Sequence, residues 1–147
     1  MKTKETITRT NSRFKACPPL PNTDASSFES KEKTLVEEII NKIREFRDKR
    51  DWMQFHDPKN MAISIMIEAA ELLEHFQWKN LEEVERHVTE HKEEVADEIA
   101  DIAMYLFEIA DNLQINLIDA MSNKLKKNEE KYPVKKSRGV ATKYIKL

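Results

Sequence analysis

Apolar residues recur at helical spacing in successive segments between residues 30 and 133, and this periodicity constrains the fold more than any other feature. The first segment carries them three or four positions apart, at Leu35, Ile39, Ile43 and Phe46. Such spacing places the side chains on one face of a helix. The chain has a single glycine and five prolines, so few positions favour turns. The pattern therefore predicts an all-α protein.

Start signals divide the first half of the periodic region. The first helix is predicted to begin at a capping-box sequence at residues 34–37, or nearer Ser30, and to end at about Arg50. Asp57-Pro58 combines an acceptor side chain with a proline suited to the first helical position. It predicts a second helix that runs to about Trp78.

Helix start and stop signals also divide the second half of the periodic region. A further capping box at residues 80–83 starts a helical segment that is predicted to break near His91. The third major helix is predicted over about residues 92–113. The fourth starts near Asn116 and stops before Pro133, because the residue preceding a proline disfavours the α region. Four helices with short connections predict a four-helix bundle.

The ends of the chain differ in composition from the periodic region. Residues 1–29 are polar, proline-bearing and aperiodic, which predicts a flexible N-terminal arm. Residues 30–133 form the predicted helical domain, and residues 134–147 form a basic, irregular tail. Cys17 is the only cysteine, so an intrachain disulfide and a thiolate metal site are excluded.

Charge and hydropathy exclude two classes of partner. The net charge of −2 arises from 25 basic and 27 acidic residues, so no global field attracts nucleic acid or a membrane surface. No apolar run approaches the ~18 residues of a membrane span, and the first residues lack the apolar segment of a signal peptide. We therefore expect a cytoplasmic protein that acts through a local site.

The second helix combines apolar residues with carboxylates. In the stretch IEAAELLEHFQW, residues 67–78, Glu68, Glu71 and Glu74 lie three residues apart, and apolar side chains cover most of the remaining circumference. A helix that is apolar nearly all round is expected to be buried. Buried carboxylates need a partner charge or a metal ion. These glutamates therefore indicate a site for a partner charge or a metal ion.

The third helix carries six acids on one arc, opposite its apolar residues. Periodicity alone favours a solvated face of an amphipathic helix. Glu98 is the exception, because it lies at the edge of the apolar stripe. The six acids are Glu94, Asp97, Glu98, Asp101, Glu108 and Asp111.

Two carboxylate pairs follow from these positions. Residues i and i+3 of a helix have Cβ atoms ~5–6 Å apart, so Glu68 is paired with Glu71 on the second helix. Glu98 is paired with Asp101 on the third. On packed helices the pairs would form an oxygen-rich cage suited to Mg²⁺ or Mn²⁺. Zinc is disfavoured because no histidine pair stands at i, i+4 beside these acids, and His75 alone is interpreted as a rim or interface residue.

The motifs resemble those of the MazG-like, all-α nucleoside triphosphate pyrophosphohydrolases. Four segments stand in the family's order and spacing over roughly residues 33–133: RDWMQFHDPKN, EAAELLEHFQWK, DEIADIAMYL and NKLKKNEEKYP. The segments RDWxQFHxPxN and FQWK resemble the dCTP pyrophosphatase branch in particular. The fold expected from this resemblance is an oligomeric four-helix bundle, because small members of the family assemble as homodimers or homotetramers.

The resemblance implies an enzyme that cleaves a deoxynucleoside triphosphate, with dCTP or a modified dCTP favoured, to the monophosphate and pyrophosphate. Such an activity would clean the nucleotide pool. Mg²⁺, or Mn²⁺ as a substitute, would be the cofactor, and Glu71 would be the catalytic residue that orients or deprotonates the attacking water. The implied metal ligands are Glu68, Glu71, Glu98 and Asp101.

Substrate contacts also follow from the resemblance. Aromatic rings stack on bases, and an amide or imidazole reads a base edge; lysine and asparagine side chains on the fourth helix would contact the phosphates. Without the resemblance, core packing of the tryptophans and a solvated charged face on the fourth helix are the simpler interpretations. The implied residues are Trp52, Gln54, Phe55, His56, Trp78, Tyr105, Lys124, Asn128 and Lys131.

One departure keeps the base preference open. Ile43 stands where some dCTP pyrophosphatases carry a histidine, nine residues before the pocket tryptophan. The first alternative is the same chemistry on dATP, dUTP or an oxidised purine. A second is a non-catalytic helical adaptor, against which the four carboxylates argue. Glu74 has no metal role in the family and is interpreted as a rim or interface charge.

Overall fold

The computed structural model describes the backbone of residues 25–146 and the side chains of residues 35–145. No strand occurs within residues 25–146, which confirms the all-α prediction. Two single 3₁₀ turns, Met53–Phe55 and Tyr144–Lys146, accompany the α-helices. The helices are α1 (Ala25–Asp48), α2 (Pro58–Glu74), α3 (Leu81–Glu90), α4 (Lys92–Asn112), α5 (Leu117–Lys131) and α6 (Val134–Ser137).

Three helices begin where the cap residues predict. The Asp57 carboxylate accepts hydrogen bonds from the second and third N–H groups of α2, at 2.8 and 3.1 Å. Asn80 and Glu83 form a complete capping box at the start of α3. Asn116 Oδ1 accepts from the Asp119 N–H at 3.1 Å. These side chains satisfy N–H groups that have no partner within the helix.

Other helix bounds differ from the predictions. The prediction that α2 extends to Trp78 is wrong, because the helix ends at Glu74 and the N–H groups of Phe76 and Gln77 both turn back to the Leu73 carbonyl. The first helix begins at Ala25, inside the predicted arm, since neither proline nor glycine interrupts residues 25–48. Residues 1–24 of that arm, with Cys17, lie outside the described residues.

The tail also contains more structure than predicted. Residues 134–137 form the short helix α6, with Pro133 directly before it, and residues 144–146 form a 3₁₀ turn. Tyr144 packs edge-on against Tyr132 at the end of α5, with ring centroids 5.8 Å apart. This contact joins part of the tail to the end of α5.

The closest helix pair is α2 and α4, and α1 and α3 pack against α4 over shorter stretches. Met61 on α2 is only 1% exposed, and Val95 and Ala110 on α4 are buried as well. In the described part of the chain these are the only buried apolar side chains, while many large apolar ones are exposed. Among the helices that the structure describes, none has the length and apolar character that crossing a membrane requires.

Histidines join α3 to its neighbours. His75 Nδ1 lies 3.0 Å from His87 Nε2, and the His87 ring stacks on that of His91 with centroids 4.5 Å apart. Two ring nitrogens at hydrogen-bond distance need one proton between them, so two charged rings are excluded. The pKa of His87 is lowered from its ordinary value of 6.5, by burial first and then by Lys79 and the other two histidines. Folding therefore favours the neutral His87 ring.

This shift predicts a pH-dependent stability. Because the folded pKa lies below the unfolded one, the unfolded chain takes up the proton first as the pH falls below about 6.5, and stability is lost in that range. We expect the thermal midpoint to fall more for the wild type than for His87→Gln between about pH 7 and pH 5. Circular dichroism melts at matched protein concentration measure the difference. Identical pH dependences would contradict the prediction.

Candidate functional site

Three predicted metal ligands converge between α2 and α4. Glu68 on α2 and Glu98 and Asp101 on α4 each place one carboxylate oxygen within 4.8 Å of the other two, and all three side chains are half-buried. The spacing of three residues along α4 turns Glu98 and Asp101 to the same side. The close packing of α2 on α4 then brings Glu68 to them. We refer to Glu68, Glu98 and Asp101 as the acidic cluster.

The electrostatics of the acidic cluster suit a cation. The pKa of Glu68 is raised by burial first, and then by the negative charges of Glu71, Asp101 and Glu98. Among the side chains of residues 35–145, no Lys, Arg or His forms an ion pair with the cluster. An all-oxygen donor set without a protein cation fits a hard divalent metal ion. The acidic cluster is therefore a group that can hold a metal.

Glu71 stands slightly apart from the acidic cluster. It is exposed on α2 and is not among the three residues whose oxygens come within 4.8 Å. Its charge is nevertheless the largest electrostatic contribution to the raised pKa of Glu68. Glu71 thus lies beside the cluster at an exposed position of α2.

Predicted base-binding residues occupy the connection between α1 and α2. The Trp52 ring packs edge-on against Phe46 with centroids 5.9 Å apart, and the Arg50 guanidinium lies 3.6 Å above the Phe46 ring. Gln54 turns back to its own loop, where its amide donates to the Asp51 carbonyl and carboxylate, both at 2.9 Å. Phe55 is exposed. Trp52 and Phe55 therefore offer ring surface, whereas the Gln54 amide is already engaged.

His56 contacts α4, and its side chain is 17% exposed. Its Nδ1 lies 2.7 Å from Glu108 Oε1, and its carbonyl oxygen accepts from Asn112 Nδ2 at 3.3 Å. Arg47 on α1 donates to Asn112 Oδ1 at 3.0 Å and to Glu108 Oε1 at 3.4 Å. The His56 ring also lies beside Trp52, with centroids 6.3 Å apart. We refer to Arg47, His56, Glu108 and Asn112 as the Glu108 cluster.

The other predicted contact residues lie on several elements. Trp78 is 93% exposed and has a left-handed backbone, with φ of 64°, which is unusual for a bulky residue. Tyr105 is half-buried on α4, one turn after Asp101. On α5, Lys124 is exposed, Asn128 is half-buried and Lys131 places its Nζ 5.2 Å from the Tyr144 ring centroid. In the described part of the chain, no hydrogen bond links these residues to the acidic cluster.

Sequence periodicity missed the Glu108 cluster. Glu108 shares an arc of α4 with Glu94, and that arc was expected to be solvated, yet the Glu108 side chain is 6% exposed. Asp111 on the same arc is held by Arg44, whose Nε donates to it at 2.7 Å. The burial follows from packing of α1 against the C-terminal half of α4. The α4 sequence alone carries no signal for it, because the burying groups come from another helix.

Several known proteins are similar to this chain. Residues 63–147 match the MazG-like family. The dCTP pyrophosphatase 1 of Rattus norvegicus is 36% identical over 125 residues, which cover 84% of this chain and 74% of that protein. The dCTP pyrophosphatase 1 of Homo sapiens is 35% identical over 120 residues, with coverages of 80% and 70%. The crystal structure of a pyrophosphatase from Archaeoglobus fulgidus superimposes with a TM-score of 0.64 at 49% identity, covering 66% of this chain and 91% of that one.

Proposed function

This chain belongs to the MazG-like family, in its dCTP pyrophosphatase branch, and from that premise we propose that it is a Mg²⁺-dependent dNTP pyrophosphohydrolase. The reaction converts a deoxynucleoside triphosphate to the monophosphate and pyrophosphate, with dCTP or a modified dCTP preferred. The observation that carries the proposal is the convergence of three carboxylates in the acidic cluster. A cytosolic nucleotide pool would supply the substrate.

The acidic cluster would hold the metal ion. Glu68, Glu98 and Asp101 supply oxygen donors, and Glu71 stands beside them as the fourth carboxylate. A bound Mg²⁺ supplies positive charge that offsets the negative charge developing on the phosphate oxygens. Mn²⁺ prefers the same ligand types and would be a substitute.

Glu71 is proposed as the catalytic base. Its carboxylate is exposed, so it can reach a water molecule, and it lies next to the proposed metal ligands. A carboxylate in that position orients the water and accepts its proton during the attack that breaks the bond between the α- and β-phosphates. The pyrophosphate then leaves. Glu74, one turn further along α2 and also exposed, has no such role and serves as a matched control.

The nucleotide base would be received by the connection between α1 and α2. Trp52 and Phe55 present ring surface that can stack on a base, and His56 supplies the hydrogen-bonding edge. Trp78 and Tyr105 are proposed as further contacts of the nucleoside. Gln54, Lys124, Asn128 and Lys131 remain proposed substrate contacts on the strength of the motif match, the last three toward the phosphates.

Homo-oligomerisation is part of the proposal. Met66 and Leu73 on α2 and Leu125 on α5 are more than half exposed, as are several other large apolar residues in residues 35–145. Extended apolar surface of this kind is typical of a protein–protein interface. We expect a dimer or tetramer by light scattering, and a monomeric mass at micromolar concentration would contradict this.

A nucleotide panel tests the proposed function. We expect pyrophosphate release from dCTP or 5-modified dCTP to exceed that from dATP, dUTP and an oxidised dGTP, and to disappear when EDTA removes the metal. Added Mg²⁺ should also raise the thermal midpoint, because a ligand that binds the folded state stabilises it by mass action.

Glu71→Gln should lose at least about tenfold in kcat, whereas Glu74→Gln should not. No release from any nucleotide would overturn the proposal and favour the adaptor alternative.

A further inference from the structure

The Glu108 cluster fixes the only described histidine that is predicted to contact the nucleotide. Glu108 Oε1 lies 2.7 Å from His56 Nδ1, and the His56 main chain is held through its carbonyl by Asn112 at 3.3 Å. The 3₁₀ turn before His56 adds a main-chain bond from the His56 N–H to the Met53 carbonyl. Both the ring and the backbone of His56 are therefore attached to neighbouring groups.

Charge decides which atom carries the proton between His56 and Glu108. The Glu108 side chain is 6% exposed, and Arg47, itself 9% exposed, directs a guanidinium nitrogen to the same Oε1 at 3.4 Å. A guanidinium only donates hydrogen bonds, and its positive charge favours the ionised carboxylate. An ionised carboxylate only accepts. The proton in the 2.7 Å contact therefore belongs to His56 Nδ1.

A proton on Nδ1 determines the hydrogen-bonding character of the opposite edge of the His56 ring. When Nδ1 carries the proton of a neutral imidazole, Nε2 is bare and accepts hydrogen bonds. Nε2 faces away from Glu108 because it lies across the ring from Nδ1. The His56 ring is half-buried beside Trp52, whose ring surface is partly exposed.

We propose that Glu108 is a positioning residue that holds His56 in the Nδ1–H tautomer, so that Nε2 selects a base carrying an exocyclic amino group. This inference rests on the proposed function, which assigns His56 to the nucleotide pocket. Cytosine offers an amino group at its 4-position, whereas uracil and thymine offer a carbonyl oxygen there. When Nε2 faces a carbonyl oxygen, it has no hydrogen to accept and is left unpaired. A site that depends on a hydrogen bond from an amino group therefore rejects a base that lacks one. The Glu108 cluster would thus favour 4-aminopyrimidine nucleotides over 4-oxopyrimidine ones.

The tautomer is testable without any substrate. Long-range ¹H–¹⁵N correlation spectra of the full chain distinguish Nδ1–H, Nε2–H and doubly protonated rings, and His56→Gln identifies the His56 signals among the four histidines. We expect the wild type to show Nδ1–H at about pH 7.5. A wild-type Nε2–H or doubly protonated ring would overturn the proposal, even if no Glu108 variant folds.

Two Glu108 variants separate positioning from packing. Glu108→Ala removes the acceptor, so His56 should leave the pure Nδ1–H form. Glu108→Gln keeps an amide oxygen at the same position and should retain it. A surface pair provides the control: His91 Nδ1 lies 2.9 Å from Glu94 Oε1, so Glu94→Ala should change the His91 signals and leave those of His56 in place. A His56 tautomer that is the same in Glu108→Ala as in the wild type would contradict the assignment.

Specificity is measured separately. The ratio of kcat/KM for dCTP to that for dUTP should fall about tenfold in Glu108→Ala, mainly through KM, and be largely kept in Glu108→Gln and Glu94→Ala. An active Glu108→Ala enzyme with an altered tautomer and the wild-type ratio would overturn the link to base selection. A wild type inactive on every nucleotide would overturn the proposed function instead, and the tautomer spectra would still decide the role of Glu108.

Discussion

Asp101→Asn is expected to lower kcat/KM for pyrophosphate release from the preferred dNTP by about 100-fold or more, the scale seen when one electrostatic contact to a transition state is removed. Asparagine keeps the shape of the side chain and removes its charge. Because the Asp101 oxygen lies within 4.8 Å of those of Glu68 and Glu98, the lost charge weakens the binding of a divalent cation directly. Steady-state kinetics over a range of Mg²⁺ concentrations measure the loss.

A stability measurement tests whether misfolding causes the lower kcat/KM of Asp101→Asn. The pKa of Glu68 is raised by burial first and then by the negative charges of Glu71, Asp101 and Glu98, so removing the charge of Asp101 relieves repulsion and metal-free Asp101→Asn should melt no lower than the wild type. Its thermal shift on adding Mg²⁺ should be smaller. Asp97→Asn is the matched control, because Asp97 is exposed on the same helix and outside the cluster. Equal activities of the two variants would refute the assignment of the metal site.

Met61→Ala is expected to lower the free energy of unfolding by about 2–5 kcal/mol, the usual cost of truncating a large buried side chain. Met61 is 1% exposed and lies in the first turn of α2, where the helix packs on α4. Few other apolar side chains of the described residues are buried, so little surrounding core is available to close the cavity. Chemical denaturation at one protein concentration measures the change.

Two further substitutions identify the cause of that loss. Met61→Leu conserves most of the volume and should cost less than about 1.5 kcal/mol. Met66→Ala removes the same atoms from a residue that is 69% exposed in the single chain, so at a protein concentration where the chain is monomeric it should cost less than Met61→Ala. If both alanine variants lost the same amount, the outer face of α2 would be as important to stability as its contact with α4.

The positions of the acidic pairs depend partly on the sequence and partly on how the helices pack. Glu98 and Asp101 share a helix face because of their spacing, and that much follows from the helical period. The sequence also predicted Glu68 and Glu71 as a second pair. The packing of α2 on α4 selects Glu68 as the member that comes within 4.8 Å of the first pair and leaves Glu71 exposed beside it. The helical period fixes directions within one helix but contains no information about the rotation of its neighbour.

Glu94 and Glu108 lie on a single helix but have different surroundings. They lie fourteen residues apart, so their directions around α4 differ by only about 40°. Glu94 is exposed and contacts His91, whereas Glu108 is enclosed by Arg47 and His56. The difference arises because α1 and the following turn cover one end of α4.

The amino-acid sequence by itself determined the all-α class, the starts of three helices at Asp57, Asn80 and Asn116, and the carboxylate pairs, because these depend on interactions within a few residues. Only the tertiary structure decided where α2 ends, which carboxylates converge and that Glu108 is buried against His56. The convergence of the carboxylates and the burial of Glu108 depend on contacts between residues far apart in the sequence, such as Arg47 and Glu108, which are 61 positions apart. Such contacts arise from the way whole helix faces pack, which no local pattern encodes.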